Sequence, residues 1–392
     1  MSLDIARLRA ETPGSRHVVH LNNAGASLPP QPVIDAVRDY HDEEACRGGY
    51  ETAEAHRSEL EGTYDSLAGL LGADRREVAV LDSATRAWDM AFYSLDFGEG
   101  DRIVTTSTEY AANYIAYLQV ARRTGAVVEV VADTPGGEID VEALATMLDD
   151  RVKLVSINHM PTNGGLVNPA AAVGRVTRAA GVPYLLDACQ TAGQIPIDVE
   201  EIGCDFLSGT SRKYLRGPRG VGFLYVRGAV LENTEPIMLD LHGATWLPGD
   251  RYEMRPDARR FELWEQSMGA KAGFKAALDY AAAVGVQAGW DRIRSLAASL
   301  RSMLASLPGV DVWDLGTQRG GIVTFTVSGL DPASVKRQMR ERAINVWTVT
   351  PAAARVDMDR RGIAGLVRAS VHYFNTDDDL HALVAAVADL KR

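Results

Sequence analysis

Short apolar runs recur along the chain between about residues 60 and 230. They show almost no alternation with polar positions, which is typical of strands buried on both faces of a sheet. Seven strands are predicted, at 78–82, 102–106, 127–132, 153–158, 183–187, 205–209 and 220–226. Apolar residues at three- and four-residue spacing predict helices between them, for example at 111–123, 141–148 and 169–180. This order predicts an α/β fold with a mainly parallel seven-stranded sheet covered by helices.

The pattern changes from about residue 267 onward. Long helices are predicted at 268–284 and 290–307, and shorter ones at 332–342 and 378–390. Strands are predicted at 320–327, 344–349 and 366–371. We therefore predict a large domain over 20–266, and a small α+β domain formed by 1–19 and 267–392.

Composition narrows the classes of function. The chain has 392 residues, of which 46% are hydrophobic and 24% charged, an ordinary balance for a soluble globular protein. Its formal net charge of −11 argues against nucleic acid or an anionic membrane surface as the main partner. No apolar run approaches the length of a membrane span, and the first residues lack the apolar core of a signal peptide, so a cytoplasmic location is expected.

Cysteine and histidine residues do not indicate a metal centre or a disulfide framework. The three cysteines, Cys46, Cys189 and Cys204, are too few and too scattered for a disulfide scaffold. No metal-ligand spacing occurs among the cysteines and histidines, so no metal is expected. The interpretation we favour for all three cysteines is that of small core residues.

Lys213 is the strongest candidate for chemistry. Asp187 ends a predicted strand, and Lys213 follows the next strand, 26 residues later, in a loop rich in glycine and hydroxyl groups. Pyridoxal phosphate (PLP) needs such a pair, because a lysine forms its Schiff base and a carboxylate keeps its pyridine nitrogen protonated. From spacing alone, an exposed loop lysine remains an equal alternative. The other five lysines fit exposed positions: Lys153 before a strand, Lys271 and Lys275 on one surface helix face, and Lys336 and Lys391 in polar helical segments.

Two segments suit a phosphate group. Thr210, Ser211 and Arg212 directly precede Lys213, and hydroxyls with a guanidinium commonly hold phosphate. Ser83, Ala84 and Thr85 follow a predicted strand and begin a helical run, where free N–H groups favour an anion. A plain helix cap is the competing interpretation of this second segment.

Two further side chains extend the set. Gln190 lies three residues after Asp187, so its amide suits a hydrogen bond to the phenolic oxygen of the cofactor. Tyr110 follows a strand, where its ring suits stacking on the pyridine, with a core aromatic as the alternative.

Taken together, these motifs resemble the class V aminotransferase group of fold-type-I PLP enzymes. This group includes cysteine desulfurases, isopenicillin-N-epimerase-like proteins and hercynylcysteine sulfoxide lyases. The resemblance extends over nearly the whole chain. It rests on LNNAGAS (21–27), RGGYE (47–51), NHMPTNGGLVNP (158–169), DACQ (187–190), SRKYLRGPRGVG (211–222), RRFE (259–262) and RASVHYFNT (368–376).

The resemblance implies roles for individual residues. Lys213 would be the Schiff-base lysine and proton shuttle, Asp187 the partner of the pyridinium, and Gln190 that of the phenolate. The phosphate would be held by Thr85 with Ala84, Thr210 and Arg212, although relatives often carry histidine at the last position. Tyr110 takes the place where desulfurases stack a histidine. Arg368 would hold the substrate α-carboxylate, and Thr162, Ala24, Gly25 and Tyr50 would lie around the substrate. A homodimer is also implied, with 260–266 near the partner's phosphate.

The reaction type depends on a missing residue. Desulfurases of this group carry a nucleophilic cysteine in a loop that corresponds to 347–359, and this segment contains none. Trp347, Thr348 and Arg355 are expected to shape the substrate pocket instead. We therefore favour a β-eliminating C–S lyase acting on a cysteine S-conjugate. An aminotransferase, an oxidative deaminase or an epimerase remains an alternative, as does a PLP-fold binding module without catalysis.

A dinucleotide-binding oxidoreductase is a third class of function that the glycine content suggests. Its only support is the glycine pattern at 217–222, which precedes a strand rather than opening a helix.

Overall fold

The structure is a computed structural model that describes residues 3–390, so the prediction for Lys391 lies outside the described residues. Its strands are β1 (Val19–His20), β2 (Val78–Leu81), β3 (Arg102–Thr105), β4 (Val127–Val130), β5 (Val152–Asn158), β6 (Tyr184–Asp187), β7 (Phe206–Thr210), β8 (Gly222–Val226), β9 (Ala244–Leu247), β10 (Arg251–Met254), β11 (Val310–Val312), β12 (Ile322–Val327), β13 (Ile344–Asn345), β14 (Trp347–Val349) and β15 (Leu366–Ser370).

Its α-helices are α1 (Ile5–Ala10), α2 (Gln31–Arg47), α3 (Gly49–Ala55), α4 (Arg57–Leu71), α5 (Ala84–Phe92), α6 (Ala111–Thr124), α7 (Val141–Met147), α8 (Ala170–Ala180), α9 (Val199–Ile202), α10 (Gly228–Leu231), α11 (Met268–Val284), α12 (Val286–Ala305), α13 (Pro332–Glu341), α14 (Arg355–Arg360) and α15 (Asp377–Ala388). Short 3₁₀ turns lie at Pro13–Arg16, Arg75–Glu77 and Ala258–Phe261. None of the helices within residues 3–390 is long and apolar enough to cross a membrane.

The seven strands predicted between 78 and 226 form one sheet, in the order β2-β8-β7-β6-β5-β3-β4. All neighbouring pairs are parallel except those of β8, which is antiparallel to both β7 and β2. Strands β2, β6, β7 and β8 are buried along their whole length, because helices cover both faces. The predicted mainly parallel seven-stranded sheet is confirmed.

The topology brings several strand ends to one edge of this sheet. Strands β3, β5, β6 and β7 are parallel, and β2 points the same way because both it and β7 are antiparallel to β8. Their carboxyl ends therefore meet at the same edge, where ligands bind in open α/β sheets. Asp187 ends β6 and Thr210 ends β7, while α5 begins shortly after β2.

A second apolar core surrounds a four-stranded antiparallel sheet of order β11-β12-β15-β14. The prediction of one strand over 344–349 was wrong, because the chain divides at Val346. β13 pairs in parallel with β1, whereas β14 pairs with β15. The division of the chain at residue 267 stays a prediction. Helix α11 contributes Ala270, Phe274 and Leu278 to the core of the large sheet.

The prediction that Lys271 lies on a surface face was wrong. Its side chain is buried, and its Nζ donates to the hydroxyl of Tyr64 over 2.7 Å. That hydroxyl donates in turn to Glu262 over 2.9 Å, so the ammonium belongs to an internal polar network. Lys275, one turn later on α11, does pair with Asp279 at the surface.

Candidate active site

Lys213 lies in the turn that connects β7 to β8, at the shared edge of the strands. The turn is closed by a hydrogen bond of 3.0 Å from the amide of Arg216 to the carbonyl oxygen of Lys213. Arg216 has a φ of 61°, a left-handed conformation that only a few non-glycine residues adopt. Desolvation in the cleft lowers the pKa of Lys213, which favours the neutral amine.

Asp187 is buried at the end of β6 and is held by two donors. Its Oδ1 accepts the amide of Cys189 over 2.8 Å, and its Oδ2 accepts Asn113 Nδ2 over 3.0 Å. Each carboxylate oxygen can accept a second hydrogen bond. The carboxylate is therefore fixed in place and still able to pair with a cationic ring nitrogen.

A second buried carboxyl group lies behind Asp187. Asn113 Nδ2 also donates to Glu109 Oε1 over 3.0 Å, so one amide bridges the two acids. Glu109 accepts further hydrogen bonds from the amide of Tyr110 and from the hydroxyls of Thr105 and Tyr117. Burial, and then the charge of Asp187, raise the pKa of Glu109 to about 7. Neither Glu109 nor Asn113 was predicted as a site residue, because their only signal in the sequence is their spacing of four around the start of α6.

The N-terminus of α5 forms the far end of the cleft. Ser83 caps the helix, and its hydroxyl accepts the amide of Arg86 over 3.1 Å, so the cap interpretation applies to Ser83 itself. Ala84 and Thr85 follow it and line an inner cavity of about 90 Å³ together with Thr210 and Arg212.

Gly222 allows this close approach of helix and strand. A Cβ at position 222 would lie 2.2 Å from the carbonyl carbon of Ser83, far inside contact distance. The guanidinium of Arg212 also donates to the carbonyl oxygen of Gly25, which ties the N-terminal segment to the lysine loop.

The same inner cavity is lined by all eight of the predicted cofactor residues. Tyr110, Asp187, Gln190 and Lys213 contribute to its wall, and so does Thr162, which was predicted to lie near the substrate. Gln190 Nε2 donates to the carbonyl oxygen of Ala24 over 3.3 Å, while its Oε1 is buried with no partner among the described residues. An unpartnered buried amide oxygen is costly unless a ligand satisfies it. The cavity thus has unused hydrogen-bonding capacity.

An outer cavity of about 500 Å³ adjoins the inner one, since Tyr110, Thr162, Arg212 and Lys213 line both. Arg368, on β15, lies buried in its wall and donates to the carbonyl oxygen and hydroxyl of Thr162 over 3.1 and 2.7 Å. Burial lowers the pKa of Arg368 to about 10, so its guanidinium stays charged near neutral pH.

Ala24 and Gly25 line the outer cavity, as do Trp347 and Thr348. Tyr50 and Arg355 do not line it. Tyr50 is 78% exposed on α3, and Arg355 pairs with Asp359 over 3.3 Å. The roles predicted for these residues stay predictions.

The three cysteines lie in different environments. Cys204 is buried in the core as predicted, and burial raises the pKa of its thiol to about 12. Cys46 is exposed near the end of α2, so its interpretation as a core residue was wrong. Cys189 is half-buried in the wall of the inner cavity, and burial raises the pKa of its thiol well above the ordinary value. None of the three lines the outer cavity.

A lysine, a buried carboxylate and a helix N-terminus at one sheet edge, next to a four-stranded antiparallel sheet, define the fold-type-I class of PLP enzymes. The family model "Aminotransferase class-V" matches residues 19–383, and the chain belongs to this family.

Curated relatives and solved structures agree with this assignment. A probable cysteine desulfurase of Methanothermobacter thermautotrophicus is 28% identical over 96% of this chain and 95% of its own length. A probable cysteine desulfurase of Halobacterium salinarum is 29% identical over 99% of this chain and 95% of its own length. The Escherichia coli cysteine desulfurase CsdA superposes with a TM-score of 0.91 at 24% identity, over 99% of this chain and 98% of its own. The cystine C–S lyase C-DES, solved with its product cysteine persulfide, gives a TM-score of 0.87 at 24% identity. The match covers 97% of this chain and 100% of that chain.

The cofactor of this family is pyridoxal phosphate, and the residues of the inner cavity fit it. The free acceptor capacity of Asp187 suits its protonated ring nitrogen, and the backbone N–H groups at the start of α5 suit its phosphate. The Gln190 side chain has a second Nε2 hydrogen that suits the ring oxygen, whereas its unpartnered Oε1 can only accept a hydrogen bond. No cluster of histidine, cysteine and acidic side chains that could hold a metal ion occurs within residues 3–390.

Proposed function

We propose that this enzyme is a β-eliminating C–S lyase that acts on a cysteine S-conjugate. The observation that carries the proposal is the outer cavity, which offers a buried guanidinium for the substrate carboxylate and, among its described lining residues, no thiol to receive sulfur. Elimination needs no protein nucleophile at sulfur, since the C–S bond breaks when the Cα proton leaves. The balanced reaction takes the conjugate and water to pyruvate, ammonium and a free thiol.

When bound, the cofactor supplies an electron sink for the pair of electrons left at Cα. The remaining steps fall to side chains of this chain. Arg368 binds the α-carboxylate, and its charge-assisted contacts fix the orientation of the Cα–H bond. Lys213, whose lowered pKa favours the neutral amine, removes the Cα proton. Asp187 holds the proton at the ring nitrogen, which preserves the electron sink.

The names of the relatives suggest a competing function, persulfide-forming cysteine desulfuration. That reaction needs a thiolate that reaches the substrate sulfur. Cys189 is the only cysteine in the wall of either described cavity, and burial together with the charge of Asp187 raises the pKa of its thiol, which disfavours the thiolate. Cys46 lies on α2 and Cys204 in the core. These positions favour elimination over persulfide transfer to the protein.

Product analysis separates the candidate reactions. The holoenzyme is incubated with S-alkyl-cysteine conjugates and with cysteine, and pyruvate, alanine, ammonium and thiol are quantified. The lyase gives pyruvate, ammonium and thiol in equal amounts from the conjugate. A desulfurase gives alanine from cysteine, and a transaminase converts the cofactor to its pyridoxamine form without free ammonium. Alanine as the only product, lost in Cys189→Ala or Cys46→Ser, would replace this proposal with desulfuration.

Lys213→Ala serves as the control for the catalytic assignment, and we expect it to abolish pyruvate release. A protein that binds the cofactor but turns over none of these substrates would favour the binding-module alternative. We further propose that the enzyme is a cytoplasmic homodimer. Sedimentation of the holoenzyme at micromolar concentration tests the dimer, and cell fractionation tests the location.

A further inference from the structure

The outer cavity has an unusual balance of charge. Its charged lining residues are Arg212, Lys213, Arg219 and Arg368, and none of the described residues that line it carries a carboxylate. The whole chain has a formal net charge of −11, so this cluster of cations is local. A concave site with charges of one sign focuses the field and attracts ligands of the opposite sign.

Three of the four cations have partners in the proposed reaction. Lys213 and Arg212 line both cavities, so they lie where the cofactor and its phosphate are expected. Arg368 is buried, bonded to Thr162, and suited to the α-carboxylate. A simple cysteine would leave no negative group for the fourth cation.

Arg219 is that fourth cation. It lines the outer cavity but not the inner one, and it is exposed, which places it at the mouth. Within one subunit, its guanidinium forms no ion pair or hydrogen bond with any other residue in 3–390. Burial, and to a smaller extent the charge of Arg219, lower the pKa of Arg212. Two guanidinium groups that line the same cavity repel each other. An anionic ligand between cavity and mouth would relieve that repulsion.

The size and walls of the outer cavity indicate a substrate larger than cysteine. Its volume of about 500 Å³ falls within the range of about 300–1,000 Å³ that is typical of small-molecule sites. Trp347 and Tyr110 supply flat apolar surface, and Thr348 and Thr350 supply hydroxyl groups. Such walls suit an extended substituent that leads from the substrate sulfur toward Arg219.

We propose that Arg219 binds a carboxylate at the far end of the sulfur substituent, so that the preferred substrate carries two carboxylates. This inference rests on the proposed function, because it names the class of S-conjugate that the lyase takes. Arg368 binds the α-carboxylate in the buried part of the cavity, and Arg219 binds the distal carboxylate at the mouth. The distance between the two anions then selects the length of the substituent.

A matched pair of conjugates tests the specificity. S-(2-carboxyethyl)-cysteine and S-(2-carbamoylethyl)-cysteine have the same length and the same thioether, but only the first carries a distal charge. We expect the holoenzyme to prefer the carboxylate by about ten- to one-hundred-fold in kcat/KM, as for a hydrogen bond to a charged group. Arg219→Gln should remove this preference, mainly through KM, and Arg219→Lys should keep part of it. Equal losses on both substrates, or no preference in the unaltered enzyme, would overturn the inference.

A binding measurement separates this inference from the lyase proposal. 2-Aminopimelate, which replaces the sulfur with a methylene group and cannot be eliminated, is titrated against the cofactor absorption band beside its distal monoamide. Tighter binding of the diacid that depends on Arg219 supports the distal site even if no conjugate releases pyruvate. Pyruvate release without any such difference keeps the lyase and refutes the distal site. Arg122→Gln, an exposed change on α6 outside both cavities, is the matched control for the lost charge.

Discussion

Glu109→Gln should make the cofactor-free protein more stable above neutral pH. The pKa of Glu109 is about 7 in the folded protein and 4.5 by its ordinary value. Between these values the folded protein holds a proton that the unfolded chain has released, so its stability falls as pH rises through this window. The two pKa values differ by about 2.5, and each pKa unit corresponds to about 1.36 kcal/mol. The ionised form therefore lowers the free energy of unfolding by roughly 3 kcal/mol. That penalty is complete above pH 7 and absent below pH 4.5.

Glutamine removes the titrating proton and keeps the shape of the side chain. Its Oε1 can still accept Asn113 and the amide of Tyr110, and its Nε2 can donate to the hydroxyl of Thr105 or Tyr117. An unfolding entropy of about 2.1 cal/mol/K per residue over 392 residues converts 3 kcal/mol into about 4 °C, if the chain unfolds as one unit.

Calorimetry of the cofactor-free protein between pH 5 and 8.5 provides the assay. We expect the gap in Tm between Glu109→Gln and the unaltered protein to widen toward the higher pH. The exposed Glu54→Gln, which is 77% exposed in its side chain, should track the unaltered protein throughout. A gap that stays constant with pH would show that Glu109 does not titrate in this window and would refute the prediction.

Three further changes test other parts of the structure. Arg368→Ala should raise KM about ten- to one-hundred-fold, because it removes charge-assisted contacts to the substrate carboxylate. The cofactor absorption band should be kept, and its loss would point to a structural role for Arg368. Gly222→Ala should weaken cofactor binding in equilibrium dialysis, because its Cβ would push the start of α5 away from β8, and unchanged affinity would contradict this. Glu262→Ala should destabilise the protein by about 4 kcal/mol or more in denaturant unfolding, because it removes the acceptor for the buried Tyr64 hydroxyl and Val80 amide, and the partner of the half-buried His242 ring. A cost below about 1 kcal/mol would contradict that network.

The large sheet was predictable because its strands are buried on both faces. Such strands give continuous apolar runs, and all seven runs between 78 and 226 became strands of one sheet. The hairpin of β9 and β10 gave no such signal, because its residues are mostly exposed and follow no clear alternation. The break at Val346 was equally hidden, because it depends on pairing with β1 and β15, which are distant in sequence.

The candidate site could be assembled from the sequence only where strand order sets position. Asp187 and Thr210 end adjacent parallel strands, so the topology brings them together, and Lys213 follows directly. Lys271 was misplaced because its partners Tyr64 and Glu262 come from segments that local spacing does not connect to it. Glu109 went unnoticed because its importance depends on burial beside Asp187, which no local pattern reveals.

Arg216 bears on how this chain can be divided. Its buried guanidinium donates to Thr12 Oγ1, to the carbonyl oxygen of Leu28 and to the hydroxyl of Tyr373, over 2.6, 2.9 and 3.0 Å. These partners come from both ends of the chain, and the donor lies three residues after Lys213. A fragment limited to 20–266 would lose the acceptors on Thr12 and Tyr373. The buried guanidinium of Arg216 would then keep only the carbonyl oxygen of Leu28. Expression of the large domain alone, or a split of the gene at residue 267, should therefore yield a protein in which the turn that carries Lys213 is disordered.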